Sequence, residues 1–318
     1  MCLLSMLEFE KPMIELERHI QMQKEKGAPG SEKQVAELER QLIELRERIY
    51  SGLTRWQRIQ LARHPQRPYS LDIIERIARD WIQLHGDRGF ADDRALVGGF
   101  GKIKGRSVMI MGQQKGRDTK QKLERNFGMM HPEGYRKAIR LMHLAARFGR
   151  SVVILIDTPG AFPGIGAEER GQAAAIAHNL REMARLPVPI VCVIIGEGAS
   201  GGALGIGIGD RIYMLENAWY TVISPEGCAA ILFRDSGRAP EAAEALKPSA
   251  EDLLQQEIID GTIPEPSGGA HRDWDRQAEM IADKVTTVLD ELERMEVREL
   301  IRNRLLKYRA MGEYSETS

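Results

Sequence analysis

The stretch with the clearest potential for chemistry is the glycine-rich run GEGASGGALGIGIG at residues 196–209, which directly follows the apolar run PIVCVII. Glycine has no Cβ atom, so paired glycines at the start of a helix let a substrate oxygen approach two backbone N–H groups. Such donors stabilise negative charge that develops on a carbonyl oxygen. Tight packing of a helix on a sheet also selects glycine. From these residues alone, an oxyanion site and a packing device both remain open.

The same stretch matches a second motif. Residues Gly196 to Gly201 fit G-x-G-x-x-G, the phosphate-binding pattern of dinucleotide-binding proteins, and Glu216 lies where such proteins carry an acidic residue. The helix that the motif requires would be GALGIGIG, in which each interior glycine costs about 0.5–1 kcal/mol relative to alanine. A nucleotide-dependent oxidoreductase is therefore the weaker hypothesis. The histidines and cysteines show no metal-ligand spacing, so no metal site is predicted in this chain.

The elements that must position this stretch form a predicted α/β core. SVVILID (151–157) and PIVCVII (189–195) are typical of buried strands, and a helix from about Ala167 to Arg185 separates them, which implies parallel pairing. Upstream, residues 95–112 predict two strands with a turn between them. Ser70 begins a predicted helix that continues through Leu84, with apolar residues at helical spacing.

The two ends of the chain predict helices outside this core. Apolar residues between 13 and 50 recur at spacings of three and four, on either side of a loop with Gly27, Pro29 and Gly30. We therefore divide the chain into an N-terminal helical hairpin over residues 1–53 and a larger domain over 54–318 that ends in a helical extension.

Charge is distributed unevenly along the chain. Residues 55–150 contain 21 Lys and Arg against 9 Asp and Glu, whereas residues 151–318 contain 16 against 27. A basic middle segment suggests an anionic partner such as a phosphorylated cofactor, an acidic protein or nucleic acid, and solvated helix faces explain it equally well. No nucleic-acid-binding module is recognisable, so nucleic acid is not expected. Without a signal peptide or a membrane-length apolar run, we expect a cytoplasmic protein with no membrane partner.

Several long motifs, in order along the chain, resemble the alpha subunit of the bacterial acetyl-coenzyme A carboxylase carboxyltransferase. They are LARHPQRPYSLD (61–72), GDRGFADDRALVGG (86–99), QKGRDTKQKLERNFGM (114–129), PEGYRKAIRLM (132–142), IDTPGAFPGIGAEERGQ (156–172), IGEGASGGALGIGIGD (195–210), VISPEGCAAILF (222–233) and IPEPSGGAHRD (263–273). The resemblance extends over nearly the whole chain to about residue 275. It implies a crotonase-like fold, a spiral of ββα units, flanked by the N-terminal helical hairpin and C-terminal helices.

The resemblance also implies an activity and partners. The implied enzyme transfers the carboxyl group of carboxybiotin, carried on biotin carboxyl carrier protein, to acetyl-CoA and forms malonyl-CoA for fatty acid biosynthesis. It implies an α2β2 assembly with a homologous beta subunit that bears a zinc ribbon, and a biotin carboxylase that works with it. No covalently bound cofactor is expected here, and zinc is expected only on the beta subunit. A related crotonase-type enzyme acting on another acyl-CoA is the second hypothesis.

The match to SGGAL identifies Gly201 and Gly202 as predicted donors to the biotin oxygen, with the beta subunit supplying the thioester site. Gly198 and Ser200 are expected to shape the turn. Gly202→Val is expected to spare folding and subunit assembly while abolishing turnover.

The remaining candidates are predicted to line the same cleft or to bind coenzyme A. Gly160 and Ala161 are candidates for the cleft, with an ordinary strand-to-helix turn as the alternative. Phe162 is a candidate wall of the biotin pocket, with core packing as the alternative. Arg117 and Lys120 are candidates for the phosphates of coenzyme A, with a surface role as the alternative.

Overall fold

The computed structural model describes residues 7–26 and 31–312. The strands are β1 (Ala78–Gln83), β2 (Leu96–Ile103), β3 (Arg106–Gln113), β4 (Val152–Thr158), β5 (Ile190–Ala199), β6 (Arg211–Leu215), β7 (Trp219–Thr221) and β8 (Gly261–Ile263). The helices are α1 (Lys11–Lys26), α2 (Ser31–Ser51), α3 (Arg55–Ala62), α4 (Ser70–Ile77), α5 (Thr119–Glu124), α6 (Pro132–Arg147), α7 (Ile165–Glu169), α8 (Gln172–Arg185), α9 (Ser200–Leu204), α10 (Pro225–Phe233), α11 (Ala239–Leu246), α12 (Ala250–Gln255), α13 (Trp274–Leu292) and α14 (Val297–Ala310).

The strands form one sheet in the order β1-β2-β3-β4-β5-β6-β8, with β7 added alongside the end of β5. β1, β2 and β3 pair antiparallel, whereas β3, β4, β5, β6 and β8 pair parallel. Every residue of β4 and β5 is buried, as expected for central strands covered on both faces. Because β3, β4, β5, β6 and β8 are parallel, their carboxyl ends meet at one edge of the sheet. The predicted α/β class is confirmed.

Two glycines show how closely the helices cover the sheet. A Cβ atom on Gly98 would lie 2.7 Å from Leu141 of α6, and one on Gly112 would lie 2.4 Å from Ser70 of α4. Gly98 pairs with Met111, the residue next to Gly112, so the two glycines point to opposite faces of the sheet. Helices α6 and α4 thus form layers on opposite faces, and the main hydrophobic core lies between them.

Helices α1 and α2 pack antiparallel. Ion pairs join Lys24 to Glu39 at 2.7 Å and Glu17 to Arg46 at 3.2 Å, and the Tyr50 hydroxyl donates to Glu10 over 2.6 Å. The predicted turn at Gly27, Pro29 and Gly30 lies outside the described residues. The boundary at residue 53 stays a prediction.

Two predicted helices have different bounds in the structure. The helix that begins at Ser70 ends at Ile77, and residues 78–83 form the edge strand β1, because their backbone pairs with β2. Asp80 has a φ of 52°, which interrupts the register of this strand. The helix predicted over 167–185 is two helices, α7 and α8, because Gly171 adopts a left-handed φ of 81° between them.

No helix within the described residues is long and apolar enough to cross a membrane.

Candidate functional site

The candidate site lies where β3, β4 and β5 end side by side. Ligand sites in parallel sheets form at this edge, where the loops that leave neighbouring strands meet. Here those loops contain Lys115 after β3, the Gly160 turn after β4 and the glycine-rich turn after β5. The fold therefore brings the two glycine-containing loops that the sequence identified to one place.

The glycine-rich turn is an abrupt strand-to-helix connection. Ser200 follows β5 directly, is exposed and has a φ of 56°, in the left-handed region that a non-glycine residue enters at a cost of about 1–3 kcal/mol. The five-residue helix α9 begins there. Within the described chain, the backbone N–H groups of Gly201 and Gly202 have no hydrogen-bond acceptor. Two amide donors without an acceptor among the described residues therefore lie at this helix start, one on the half-buried Gly201 and one on the buried Gly202.

Gly202 and Gly201 differ in their surroundings. A Cβ atom on Gly202 would lie 2.3 Å from the carbonyl carbon of Gly160 and 2.6 Å from the nitrogen of Ala161. A Cβ atom on Gly201 would meet nothing closer than Ile176 at 3.5 Å. Gly202 is thus required for close packing of the two loops, and it also carries a free amide. The expectation that Gly202→Val would spare folding is wrong, because valine would collide with main-chain atoms.

The Gly160 turn is itself fixed by hydrogen bonds. Thr158 Oγ1 lies 2.7 Å from the carbonyl oxygens of Gly160 and Gly128, and it accepts the Gly160 N–H over 3.1 Å. Gly160 has a φ of 153°, which favours glycine. The main chain of Gly160 and Ala161 is therefore held in place where it packs against Gly202.

Gly198 lies inside β5 and pairs with Thr158 on one side and Tyr220 on the other. A Cβ atom there would lie 2.9 Å from the ring of Tyr220. Because Gly196 and Gly198 both lie within β5 and α9 has only five residues, the stretch lacks the long crossover helix that dinucleotide binding needs.

Phe162 stacks on His131, with ring centroids 4.1 Å apart and an interplanar angle of 28°. Both rings are partly exposed, and the Phe162 N–H donates to Met130 O over 3.1 Å. Partial burial lowers the pKa of His131, so its ring is neutral at physiological pH. The pair forms an aromatic wall next to the Gly160 turn.

A buried ion network that sequence analysis missed lies under the same edge. Lys115 Nζ lies 2.6 Å from Asp157 and 2.7 Å from Glu197, and Arg63 joins Glu197 over 2.7 Å and Glu226 over 2.5 Å. The Asp157 carboxylate also accepts the Glu197 N–H over 2.9 Å. The only signal in the sequence is that Lys115, Asp157 and Glu197 each lie at or just after the end of an apolar run.

The pKa values in this network follow from burial and charge. Burial raises the pKa of Asp157, and Lys115 offsets only part of that rise. Burial also raises the pKa of Glu197, but Lys115 and Arg63 outweigh it and the pKa falls below its ordinary value. Burial lowers the pKa of Lys115, but the two carboxylates raise it by more. The pKa therefore lies above its ordinary value, and the ammonium stays charged. The network therefore links the ends of β3, β4 and β5 through salt bridges.

The two basic candidates differ in how they are held. The Arg117 guanidinium lies between the rings of Tyr69 and Trp274, at 4.5 and 4.6 Å, and it pairs with Asp72 and donates to Pro65 O. Its donors are largely used inside the chain. Lys120 is exposed on α5. As a ligand for a phosphate, Lys120 is the better placed of the two.

The structure brings Glu10, His64 and His271 within reach of one metal ion, with one donor atom from each within 4.8 Å of the others. His271 Nε2 lies 3.3 Å from Glu10 Oε1, and the centroids of the His64 and His271 rings lie 4.1 Å apart with the rings tilted by 33°. His64 Nδ1 accepts the Gln66 N–H over 3.2 Å, which leaves the proton of a neutral ring on Nε2. The donor set therefore fits a hydrogen-bonded cluster that joins the turn before α1 to the core.

Comparison with known proteins identifies what this geometry resembles. Residues 6–312 match a family model described as acetyl co-enzyme A carboxylase carboxyltransferase-like. Proteins named acetyl-coenzyme A carboxylase carboxyl transferase subunit alpha are similar over nearly their whole length. The one from Thermus thermophilus is 54% identical over 98% of this chain and 99% of its own, and the one from Chlorobium limicola is 53% identical over 98% of both.

Solved structures share the fold at low identity. Transcarboxylase 12S aligns with a TM-score of 0.53 and 23% identity, over 68% of this chain and 42% of its own. The beta subunit of geranyl-CoA carboxylase from P. aeruginosa aligns with a TM-score of 0.54 and 16% identity, over 84% of this chain and 47% of its own. The chain thus spans less than half of each of these larger proteins. The shared fold confirms the predicted crotonase-like fold.

Proposed function

The chain belongs to the acetyl-coenzyme A carboxylase carboxyltransferase family, as an alpha subunit, and from that premise we propose that its glycine-rich turn binds the carboxyl donor. Family and enzyme class agree with the prediction from the motifs. The proposed reaction moves the carboxyl group of carboxybiotin to acetyl-CoA and forms malonyl-CoA. The observation that supports the turn as the biotin site is the pair of unpartnered amides at Gly201 and Gly202.

Carboxyl transfer generates negative charge on two oxygens. When the bond between biotin nitrogen and the carboxyl carbon breaks, CO2 leaves and negative charge develops on the ureido oxygen of biotin. The ureido anion then takes a proton from the methyl group of acetyl-CoA, and the resulting enolate attacks CO2 to form the new carbon–carbon bond. No protein acid or base is consumed, so the protein has to orient the reactants and stabilise charge.

The amides of Gly201 and Gly202 suit the first of these charges. A donor that is aimed in advance at a developing oxyanion contributes about 3–4 kcal/mol to transition-state stabilisation. We assign them to the ureido oxygen, with Gly160 and Ala161 beneath and Phe162 beside the ring. The thioester oxygen is assigned to the partner subunit, and the exposed Lys120 to a phosphate of coenzyme A, with Arg117 holding the loop before it.

The partner subunit has a candidate docking surface next to the turn. Helix α10 is apolar on nearly all sides, yet Ile231 and Leu232 are 70% and 63% exposed, and Val222 just before it is 78% exposed. A helix with this composition is normally covered. Glu226 at its start pairs with Arg63, which also binds Glu197. We place the zinc-ribbon beta subunit of an α2β2 assembly here, with biotin carboxyl carrier protein and biotin carboxylase as further cytoplasmic partners.

Gly201→Val tests the proposed role of the turn. A Cβ atom fits at position 201 because the nearest atom would be 3.5 Å away, and we expect the methyl groups of valine to cover the amides. We expect the reconstituted complex with the beta subunit to lose malonyl-CoA formation by about 10²-fold or more.

Gly52→Val is the matched control, because a Cβ atom at Gly52 also meets only ordinary contacts at 3.4 Å, at the end of α2. Near-normal turnover by a correctly assembled Gly201→Val complex would remove the turn from the mechanism.

A further inference from the structure

We infer that Gln113 is a positioning residue that holds the Gly201–Gly202 amides in the orientation that binds an oxyanion. The inference rests on the proposed function of the turn. Gln113 is the last residue of β3 and is fully buried. Its side chain reaches past the end of β4 to the helix that follows β5, so it connects three neighbouring strand ends through one amide group.

Both ends of the Gln113 amide are used. Its Nε2 donates to Gly202 O over 2.7 Å, and its Oε1 accepts the Asp157 N–H over 3.1 Å. The ladder between β4 and β5 shifts register between Ile156 and Thr158, where Asp157 lies. Gln113 thus supplies an acceptor for the Asp157 N–H, where the pairing of β4 with β5 is interrupted. It also supplies a donor for the Gly202 carbonyl, in α9.

The turn needs such an anchor because its own residues do not fix it. Helix α9 has five residues, two of which are glycine, so neither its length nor its helix propensity stabilises it. Glycine also allows its flanking peptides to rotate more freely than other residues do. An amide that points into the cleft only part of the time stabilises charge only part of the time.

The hydrogen bonds on the carbonyl side set the direction of the amides. Gly201 O accepts the Gly205 N–H over 2.9 Å, and because a trans peptide is planar, the N–H of Gly202 then points the opposite way, out of the helix start. The next carbonyl, Gly202 O, is held by Gln113, and the Tyr135 hydroxyl lies 3.4 Å from it. Gln113 is the closer of these two donors, and it fixes the Gly202–Ala203 peptide, which directly follows the peptide that carries the Gly202 N–H.

The test is Gln113→Met in the reconstituted complex, because methionine keeps the volume and removes both hydrogen bonds. We expect kcat for malonyl-CoA formation to fall about tenfold or more, toward the 10²- to 10³-fold loss caused by removing an oxyanion donor. KM for acetyl-CoA should change less than twofold, because its thioester is assigned to the partner subunit and its phosphate to Lys120, neither of which Gln113 holds.

Gln277→Met is the matched control. Gln277 is also a fully buried glutamine, on α13, and its side chain donates to Pro264 O and to no atom of α9. That bond is long, at 3.4 Å, and within the described residues the Gln277 Oε1 has no partner, so Gln277→Met should lower the melting temperature less than Gln113→Met does and leave kcat unchanged. If Gln113→Met does not fold, Gln113→Asn serves instead, because its shorter side chain cannot span both partners and should give the same loss of kcat.

Three outcomes separate the inference from the proposed function. Loss of kcat in Gln113→Met and Gly201→Val, with Gln277→Met active, supports both. Full kcat in the folded Gln113 variants, with loss in Gly201→Val, overturns the role of Gln113 alone. Full kcat in Gly201→Val overturns the proposed function of the turn itself, and with it the inference.

Discussion

At the scale of single residues, Gly201 and Gly202 carry the same side chain for different reasons. Gly202 lies against the main chain of Gly160 and Ala161, where any Cβ atom would overlap. Gly201 has room for a side chain, so steric packing does not require glycine there. Packing therefore does not explain the glycine at 201, which is consistent with its proposed role as an amide donor.

This difference predicts that alanine destabilises the fold at position 202 and has little effect at position 201. Gly202→Ala should lower the free energy of unfolding by about 1–3 kcal/mol, because the new methyl group collides with main chain that cannot move aside. Gly201→Ala should change it by less than about 0.5 kcal/mol. Urea unfolding of the two variants measures the contrast, and equal stability of both would contradict the packing described for Gly202.

At the scale of elements, the strand ends and the short helix α9 depend on side chains from elsewhere in the chain. Asn179 of α8 donates to the carbonyls of Tyr135 and Gly205 over 3.0 Å, and Gln113 donates to Gly202. The carbonyls near the end of the turn are thus satisfied by buried amides on other elements. This leaves the N–H end of α9 as the side available to a ligand.

Helix α10 gives a prediction at the same scale. Ile231→Asp puts a charge on its exposed apolar side, where the beta subunit is proposed to dock, so we expect the affinity for that subunit to fall at least about tenfold with the chain still folded. Titration calorimetry with the purified beta subunit measures it.

Leu305→Asp is the control, because Leu305 is also exposed, at 50%, and lies on a different helix, α14. If Ile231→Asp bound the beta subunit as tightly as the unaltered chain, the docking surface would have to be sought elsewhere.

At the scale of the whole molecule, buried ion pairs join segments that are distant in sequence. Arg67 binds Glu265 over 2.5 Å and donates to Ile195 O, which ties the segment before α4 to β5 and to the loop after β8. Arg304 of α14 binds Asp210 over 2.7 Å and is fully buried. These pairs fix the flanking segments on the sheet that carries the site.

The Arg67–Glu265 pair predicts a pH dependence of stability. Burial raises the pKa of Glu265, but Arg67 and the Ala270 and Asn217 hydrogen bonds outweigh it and lower the pKa from 4.5 to about 2. A carboxyl with a depressed pKa stabilises the fold above its unfolded pKa, and that stability is lost as pH falls from about 4.5 toward 2.

Glu265→Gln should therefore cost about 3–5 kcal/mol at pH 7, because Arg67 stays buried without its partner. The difference from the unaltered chain should shrink as pH falls toward 3. Urea unfolding at pH 7, 4.5 and 3 measures it, with the exposed Glu241→Gln as control. A difference that stays constant across this range would show that Glu265 does not carry the charge.

The sequence by itself determined the α/β class, the two central strands, the family and the position of the glycine-rich turn. Each depends on information local in the chain: continuous apolar runs for strands buried on both faces, breakers for turns, and long ordered motifs for the family. The site residues that it identified in the two glycine-containing loops are contiguous in sequence, so one stretch of chain was enough to find them.

Only the tertiary structure decided which contacts those residues make. Residues 78–83 have helical spacing, yet they form a strand because β2 offers an edge with which to pair. Gln113 and Lys115 have no local feature that marks them, since their partners lie more than 40 residues away in the chain. Which distant groups meet depends on how the sheet folds the chain, so the network beneath the amides emerges only when the strands lie side by side.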